Sequence, residues 1–116
     1  MELLVSTDWL ANELGASDLR VVDATKFMAD AGRNPAAEYE AGHIPGAVFM
    51  DLSDLTDTSN AVENMLPPAE KFASRMQSLG LGDGSRVVLY DDSPLQSAAR
   101  AWWMLTIFGA HEVAIL

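Results

Sequence analysis

No cysteine occurs among the 116 residues of this chain. That absence excludes disulfides, thiolate metal sites and thiol catalysis within these residues. Histidine is nearly as scarce. His43 and His111 stand far apart and neither has a ligand-spaced partner, so neither a metal nor a cofactor is expected. Positive charge is thin as well: 7 Lys and Arg against 17 Asp and Glu give a formal net charge of -10. Such a surface repels nucleic acid phosphates and anionic membranes, and neither partner is expected. The apolar runs are all too short to span a bilayer. No basic segment precedes the short run in Met1-Glu2-Leu3-Leu4, so a cytoplasmic location is expected in place of secretion.

What remains describes a folded chain. Hydrophobic residues make up 49% and charged residues 21% of the sequence, far from the composition of disorder. Residues 1–116 suffice for one core and no second, so they read as a single domain. Leu3-Leu4-Val5 reads as a short strand. Ser6 or Thr7 can cap a helix holding Trp9, Leu10 and Leu14, closed at Gly15. Leu19 to Ala24 is a buried strand, and a loop runs from it through Gly32-Arg33-Asn34-Pro35. A helix from about Ala36 to Ala41 stops at Gly42, and Val48-Phe49-Met50 is again a strand. Ser53 to Asn64 lacks period and reads as loop. Beyond Pro67-Pro68, Phe72, Met76 and Leu79 share one helical face that ends at Gly80.

Gly82-Asp83-Gly84 is a turn into a strand from Arg86 to Tyr90, followed by a helix from about Gln96 to Phe108. A last strand starts at Val113. Strands alternating with helices imply an α/β fold, a mostly parallel sheet covered on both faces. The apolar run still open at Leu116 is expected of a domain truncated at its C-terminus, its final part belonging to a longer protein, because an uncapped edge strand is a liability.

Three separated stretches carry a resemblance. Tyr39-Glu40-Ala41-Gly42-His43-Ile44-Pro45-Gly46-Ala47 places a helix stop, a buried Ile and a tight Pro-Gly turn before a strand. Val87-Val88-Leu89-Tyr90-Asp91 runs a hydrophobic strand into an acidic turn. Ser97-Ala98-Ala99-Arg100-Ala101-Trp102-Trp103-Met104-Leu105 is an aromatic-rich helix that leads to Gly109 and Val113-Ala114-Ile115-Leu116. Together they resemble the rhodanese family of sulfurtransferases, and within it the amino-terminal domain of tandem-domain enzymes acting on thiosulfate or 3-mercaptopyruvate.

The resemblance implies a three-layer rhodanese-like fold. It also implies that Asp91 stands where a catalytic domain of the family places Cys. A carboxylate cannot carry a persulfide, so the nucleophile is expected in a carboxyl-terminal rhodanese domain of the same protein. The implied substrate is a small anionic sulfur donor, with no cofactor. Taken this way, His43 faces an interdomain cleft and assists proton transfer in the mercaptopyruvate branch, with Asp30 as the upstream acidic partner and Arg33 between them. The bland reading of His43 is a residue that pins its turn. A different class of function, a stand-alone inactive module used for protein interaction or regulation, is the competing expectation.

The remaining residues read as structural. Asp23 and Asp51 each end an apolar strand, and capping of the following turn is favoured over acid–base work. Asp91 and Asp92 match phosphate-accepting aspartates poorly: Ser93 stands where a second acid belongs, and Lys26 and Lys71 both lie upstream of the loop. Pro45 and Gly46 form the turn. Arg100 is expected to pair with Asp91 or Asp92 or to serve as a hydrogen-bonding anchor. Trp102 and Trp103, about 100° apart on a helix, divide between the core and a partner domain. Glu38, Glu40 and Glu63 are expected to be solvated.

Overall fold

The computed structural model describes residues 2–57, 59, 65–82 and 84–116. Asp83 and most of the 58–64 stretch, Glu63 included, lie outside the described residues. The elements run α1 (Thr7–Glu13), β1 (Leu19–Asp23), α2 (Pro35–Ala41), β2 (Val48–Phe49), α3 (Ala69–Ser78), β3 (Arg86–Tyr90), α4 (Ser97–Ile107) and β4 (Val113–Ile115). The four strands form one sheet in the order β2-β1-β3-β4, every pair parallel. Crossover helices impose this parallel order, since parallel neighbours cannot be joined by a hairpin.

Alternation along the strands assigns the two faces. Val22, Val87, Leu89 and Val113 point into a large core closed by Phe72 and Met76 of α3 and by Ala98, Ala101, Met104 and Leu105 of α4. Leu19, Val21 and Val88 point the other way, onto Leu10 of α1 and Ala47. Val88 and Leu89 are both fully buried on opposite faces of β3. Each contributes about 1.5–3 kcal/mol of hydrophobic stabilisation. Burial on both faces explains why β3 reads as an unbroken apolar run.

Local chemistry sets the boundaries. The Ser6 side chain accepts the Trp9 N–H at the start of α1, and the Asn34 side chain accepts the Ala37 N–H at the start of α2. Pro35 therefore opens α2 one residue earlier than expected, its missing N–H costing nothing in the first turn. Gly46 adopts φ 79°, and the Ala47 N–H bonds the Ile44 carbonyl at 2.9 Å. Pro45 followed by a left-handed Gly is a type II turn, which delivers the chain into β2. The expected strand at Leu3-Leu4-Val5 is reduced to a single parallel bridge between Leu4 and Ile115. Val5 N–H donates to the Ile115 carbonyl and Ile115 N–H to that of Leu3, so this segment lies along the outer side of β4. The segment is exposed at Leu3 and Leu4, and that side chain exposure leaves little to extend the pairing.

Register then positions the site. Asp23 pairs with both Phe49 and Tyr90, so β1, β2 and β3 end at one level. The loops that follow them emerge side by side at the carboxyl edge of the sheet, where open α/β folds bind ligands.

Candidate functional site at the carboxyl edge of the sheet

The loop after β3 is closed on itself by Asp91. One carboxylate oxygen accepts the Ala98 N–H at 2.7 Å and the other accepts the Ser93 N–H at 3.1 Å. Ala98 lies in the first turn of α4, so the charge sits against donors that the helix leaves unsatisfied. Gln96 immediately before α4 takes φ 50° and ψ 49° and offers no side-chain cap. Asp91, five residues upstream, supplies the cap in its place. Its partners are backbone groups, one in its own loop and one in the first turn of α4.

A second set of bonds laces this loop to the one after β1. The Asp23 carboxylate is buried and accepts both the N–H and the hydroxyl of Thr25, at 3.0 and 2.6 Å. Thr25 Oγ1 in turn accepts the Asp92 N–H at 3.1 Å. Ser93 donates its hydroxyl to the Lys26 carbonyl at 2.6 Å and accepts the Leu95 N–H, while Ser97 Oγ accepts the Lys26 N–H at 2.9 Å. Thr25 was not singled out from the sequence, and Ser93 and Ser97 were named there without this loop-lacing role. The spacing of Thr25 two residues after a strand-ending Asp was its only available signal. Ser93 is the obvious substitute nucleophile in a loop without sulfur, yet its proton is aimed at a carbonyl, so no base activates it.

His43 stacks on Tyr39 with ring centroids 3.9 Å apart and planes within 2°. Its Nδ1 lies 2.7 Å from the Tyr39 carbonyl oxygen, an atom that only accepts. The proton of the neutral ring is therefore on Nδ1, and Nε2 keeps its lone pair. The ring is exposed, and Tyr39 is itself held by donating its hydroxyl to the Ala47 carbonyl. Among the described residues, no hydrogen bond or ion pair joins His43 to Asp30. Asp30 is exposed, in the turn where the Ala31 N–H bonds the Met28 carbonyl.

Arg33 is committed elsewhere too. Its guanidinium grips Glu38 at 2.6 and 3.0 Å, lies 3.6 Å from Asp92 and covers the Phe27 ring at 3.9 Å. Hydrogen bonding to Arg33 holds the Glu38 carboxyl below the usual range, and the same bond raises Arg33. Glu38, expected to be merely solvated, is thus part of a fork that ties α2 to the β3–α4 loop through Arg33.

Tyr90 closes the site from below. The Ile44 N–H donates to its hydroxyl at 3.3 Å. Burial pushes its pKa above the ordinary phenol value, and the nearby charge of Asp23 adds to the rise. On α4, Trp102 donates its indole N–H to the Val113 carbonyl at 3.2 Å, whereas Trp103 is 43% exposed with the Arg100 guanidinium 5.7 Å from its ring. The Asp51 side chain accepts the Ser53 N–H, as a turn cap does. No group of three His, Asp or Glu side chains among the described residues converges as a metal site would require.

These features define a parallel α/β domain with a hydrogen-bonded strand-to-helix loop in which two backbone donors converge on one carboxylate. The chain belongs to the rhodanese-like domain family, whose profile matches residues 6–116. It is 45% identical over 115 residues to thiosulfate/3-mercaptopyruvate sulfurtransferase 2 of Arabidopsis thaliana, covering 99% of this chain and 34% of that protein. It is 44% identical to 3-mercaptopyruvate sulfurtransferase of Escherichia coli K12, covering 97% of this chain and 40% of the relative. The crystal structure of SseA, a 3-mercaptopyruvate sulfotransferase of Escherichia coli, superposes with a TM-score of 0.89 at 43% identity, covering all of this chain and 45% of the other. The chain thus spans about a third to two fifths of the length of the curated relatives it matches. None of its helices among the described residues is long and apolar enough to cross a membrane.

Proposed function

We propose that residues 1–116 form the non-nucleophilic, amino-terminal rhodanese-like domain of a tandem-domain sulfurtransferase. The observation that carries this reading is a family match along nearly the whole chain in which no residue can hold a sulfane sulfur. The relatives' greater length supplies the second support, because a second domain has room there for the missing cysteine.

The chemistry is a double displacement. A thiolate in the carboxyl-terminal domain attacks the transferable sulfur of 3-mercaptopyruvate, releasing pyruvate, or of thiosulfate, releasing sulfite. The resulting persulfide passes its outer sulfur to cyanide or a thiol and returns to the thiolate. This domain contributes one wall of the interdomain cleft, with His43 Nε2 and Arg33 on the side where the donor enters and Asp91 in the place of the cysteine. Names of the relatives favour 3-mercaptopyruvate slightly over thiosulfate. A cytoplasmic setting, where thiol acceptors are kept reduced, completes the proposal.

The test uses residues 1–116 and the full reading frame side by side, each given either donor with cyanide. Thiocyanate is expected from the full protein alone. Turnover by residues 1–116 that disappears in Asp91→Ala would refute the assignment, and a reading frame that ends shortly after Leu116 would favour the interaction module.

A further inference from the structure

We infer that the outward face of α4 is the seat of the second rhodanese-like domain of the same polypeptide, an assignment that rests on the tandem reading above. Ala99, Trp103 and Ile107 are spaced four apart and all exposed, Trp103 at 43% and Ile107 at 49%. They form a single stripe about 12 Å long on one side of the helix. The rest of the chain surrounds its helices with charge. α1 carries Asp8 and Glu13, α2 carries Glu38 and Glu40, and α3 carries Glu70, Lys71 and Arg75. In a protein with 17 acids in 116 residues, α4 has none, and its one ionised side chain is Arg100 beside Trp103.

An exposed Trp flanked by Arg, on a helix that carries no carboxylate of its own, has the composition of an interface core and not of a solvated helix face. The stripe is smaller than the roughly 800 Å² per partner that a stable contact buries. It is therefore the anchor of a wider contact. The relatives are more than twice as long as this chain, which makes a domain of comparable size the partner with the right dimensions. Because α4 begins at the Asp91 loop, a domain seated on its stripe stands next to the candidate site. Trp102 cannot share this duty, since its indole is turned onto β4.

Hydroxyl-radical footprinting of the full protein and of residues 1–116 tests the assignment. Oxidation of Trp103 and Ile107 is expected to slow at least about fivefold in the full protein, as in a water-excluding contact, while exposed Met65 reacts alike in both. Trp103→Glu and Ile107→Lys supply a second readout. In residues 1–116 each leaves the melting temperature nearly unchanged; in the full protein each splits a single unfolding transition into two. A full protein that carries the second domain, turns over through it, and leaves Trp103 as reactive as in residues 1–116 overturns the interface alone. A reading frame with no second domain overturns the tandem reading as well. Protection of Trp103 in residues 1–116 that grows with concentration assigns the face to a second copy of this chain and likewise overturns the inference.

Discussion

Replacement of Asp91 by Ala measures what the carboxylate does in its present position. Two backbone donors, Ala98 N–H at 2.7 Å and Ser93 N–H at 3.1 Å, lose their acceptor together. Loss of a helix N-cap costs about 0.5–2 kcal/mol. The attraction between a carboxylate and the positive end of the helix adds about 0.3–1 kcal/mol. Asp91 is half-buried, so water reaches part of the vacated space and offsets some of the desolvation cost. The expected loss is about 1.5–2.5 kcal/mol, at the upper end of capping substitutions because the same side chain also closes the loop. For a domain of about 100 residues each kcal/mol lowers the melting temperature by about 4–8 °C, so a fall of about 6–20 °C is expected. Urea unfolding should show a lower midpoint with an unchanged slope, since surface exposed on unfolding is the same. Asp91→Asn keeps one acceptor oxygen for one of the two N–H groups, sets its NH2 against the other and loses the charge, so it should recover only part of the loss. A loss within about 0.5 kcal/mol, the ordinary range for surface substitutions, would refute the capping role.

Other perturbations test separate parts of the structure. Gly46→Ala should cost about 1–2 kcal/mol by calorimetry, because φ 79° strains any residue with a Cβ while nothing lies within 4 Å of that atom to clash. Met104→Ala, at a position 1% exposed in the main core, should cost about 2–5 kcal/mol in urea unfolding. Hydrogen bonds from Arg86, Arg33 and Arg75 lower the pKa values of Asp18, Glu38 and Asp54 in the folded state. Their stabilising contribution is therefore complete above the unfolded carboxyl pKa near ~4 and is lost as pH falls through the lower folded values; a pH series of melting temperatures should flatten in Glu38→Gln. Tyr90 shifts the opposite way: its folded pKa lies above the phenol value, so its contribution is full below about pH 10 and fades as pH rises through the folded value. A tyrosinate absorbance titration should lose its latest component in Tyr90→Phe.

The strands and the long helices were legible because period and length agree there. Val21-Val22 and Val87 to Leu89 are continuous apolar runs, and Phe72, Met76 and Leu79 repeat at helical spacing. The Pro45-Gly46 turn was readable from residue type alone, as only glycine accepts that φ freely. The loop from Ala24 to Asn34 was not, because it has no period. Its shape comes from Thr25 and Lys26 bonding across 67 to 71 residues to Asp92, Ser93 and Ser97. Sequence order therefore suggested Asp30 as a neighbour of His43, whereas Arg33 folds back over Phe27 and onto Glu38. The capping by Asp91 was equally hidden, since it depends on Gln96 turning left-handed to bring Ala98 within reach. Trp102 and Trp103 show the opposite case: helical geometry alone separates them, and the burial follows.

The most direct test of the central claim is the location of the transferred sulfur. The full protein is charged with 3-mercaptopyruvate or thiosulfate, digested without reductant and mapped by mass spectrometry. The account predicts a gain of one sulfur atom on a cysteine outside residues 1–116, with every peptide of 1–116 unchanged and with no thiocyanate from residues 1–116 alone. Sulfur bound to any peptide of this chain, or turnover by it in isolation, would contradict the account.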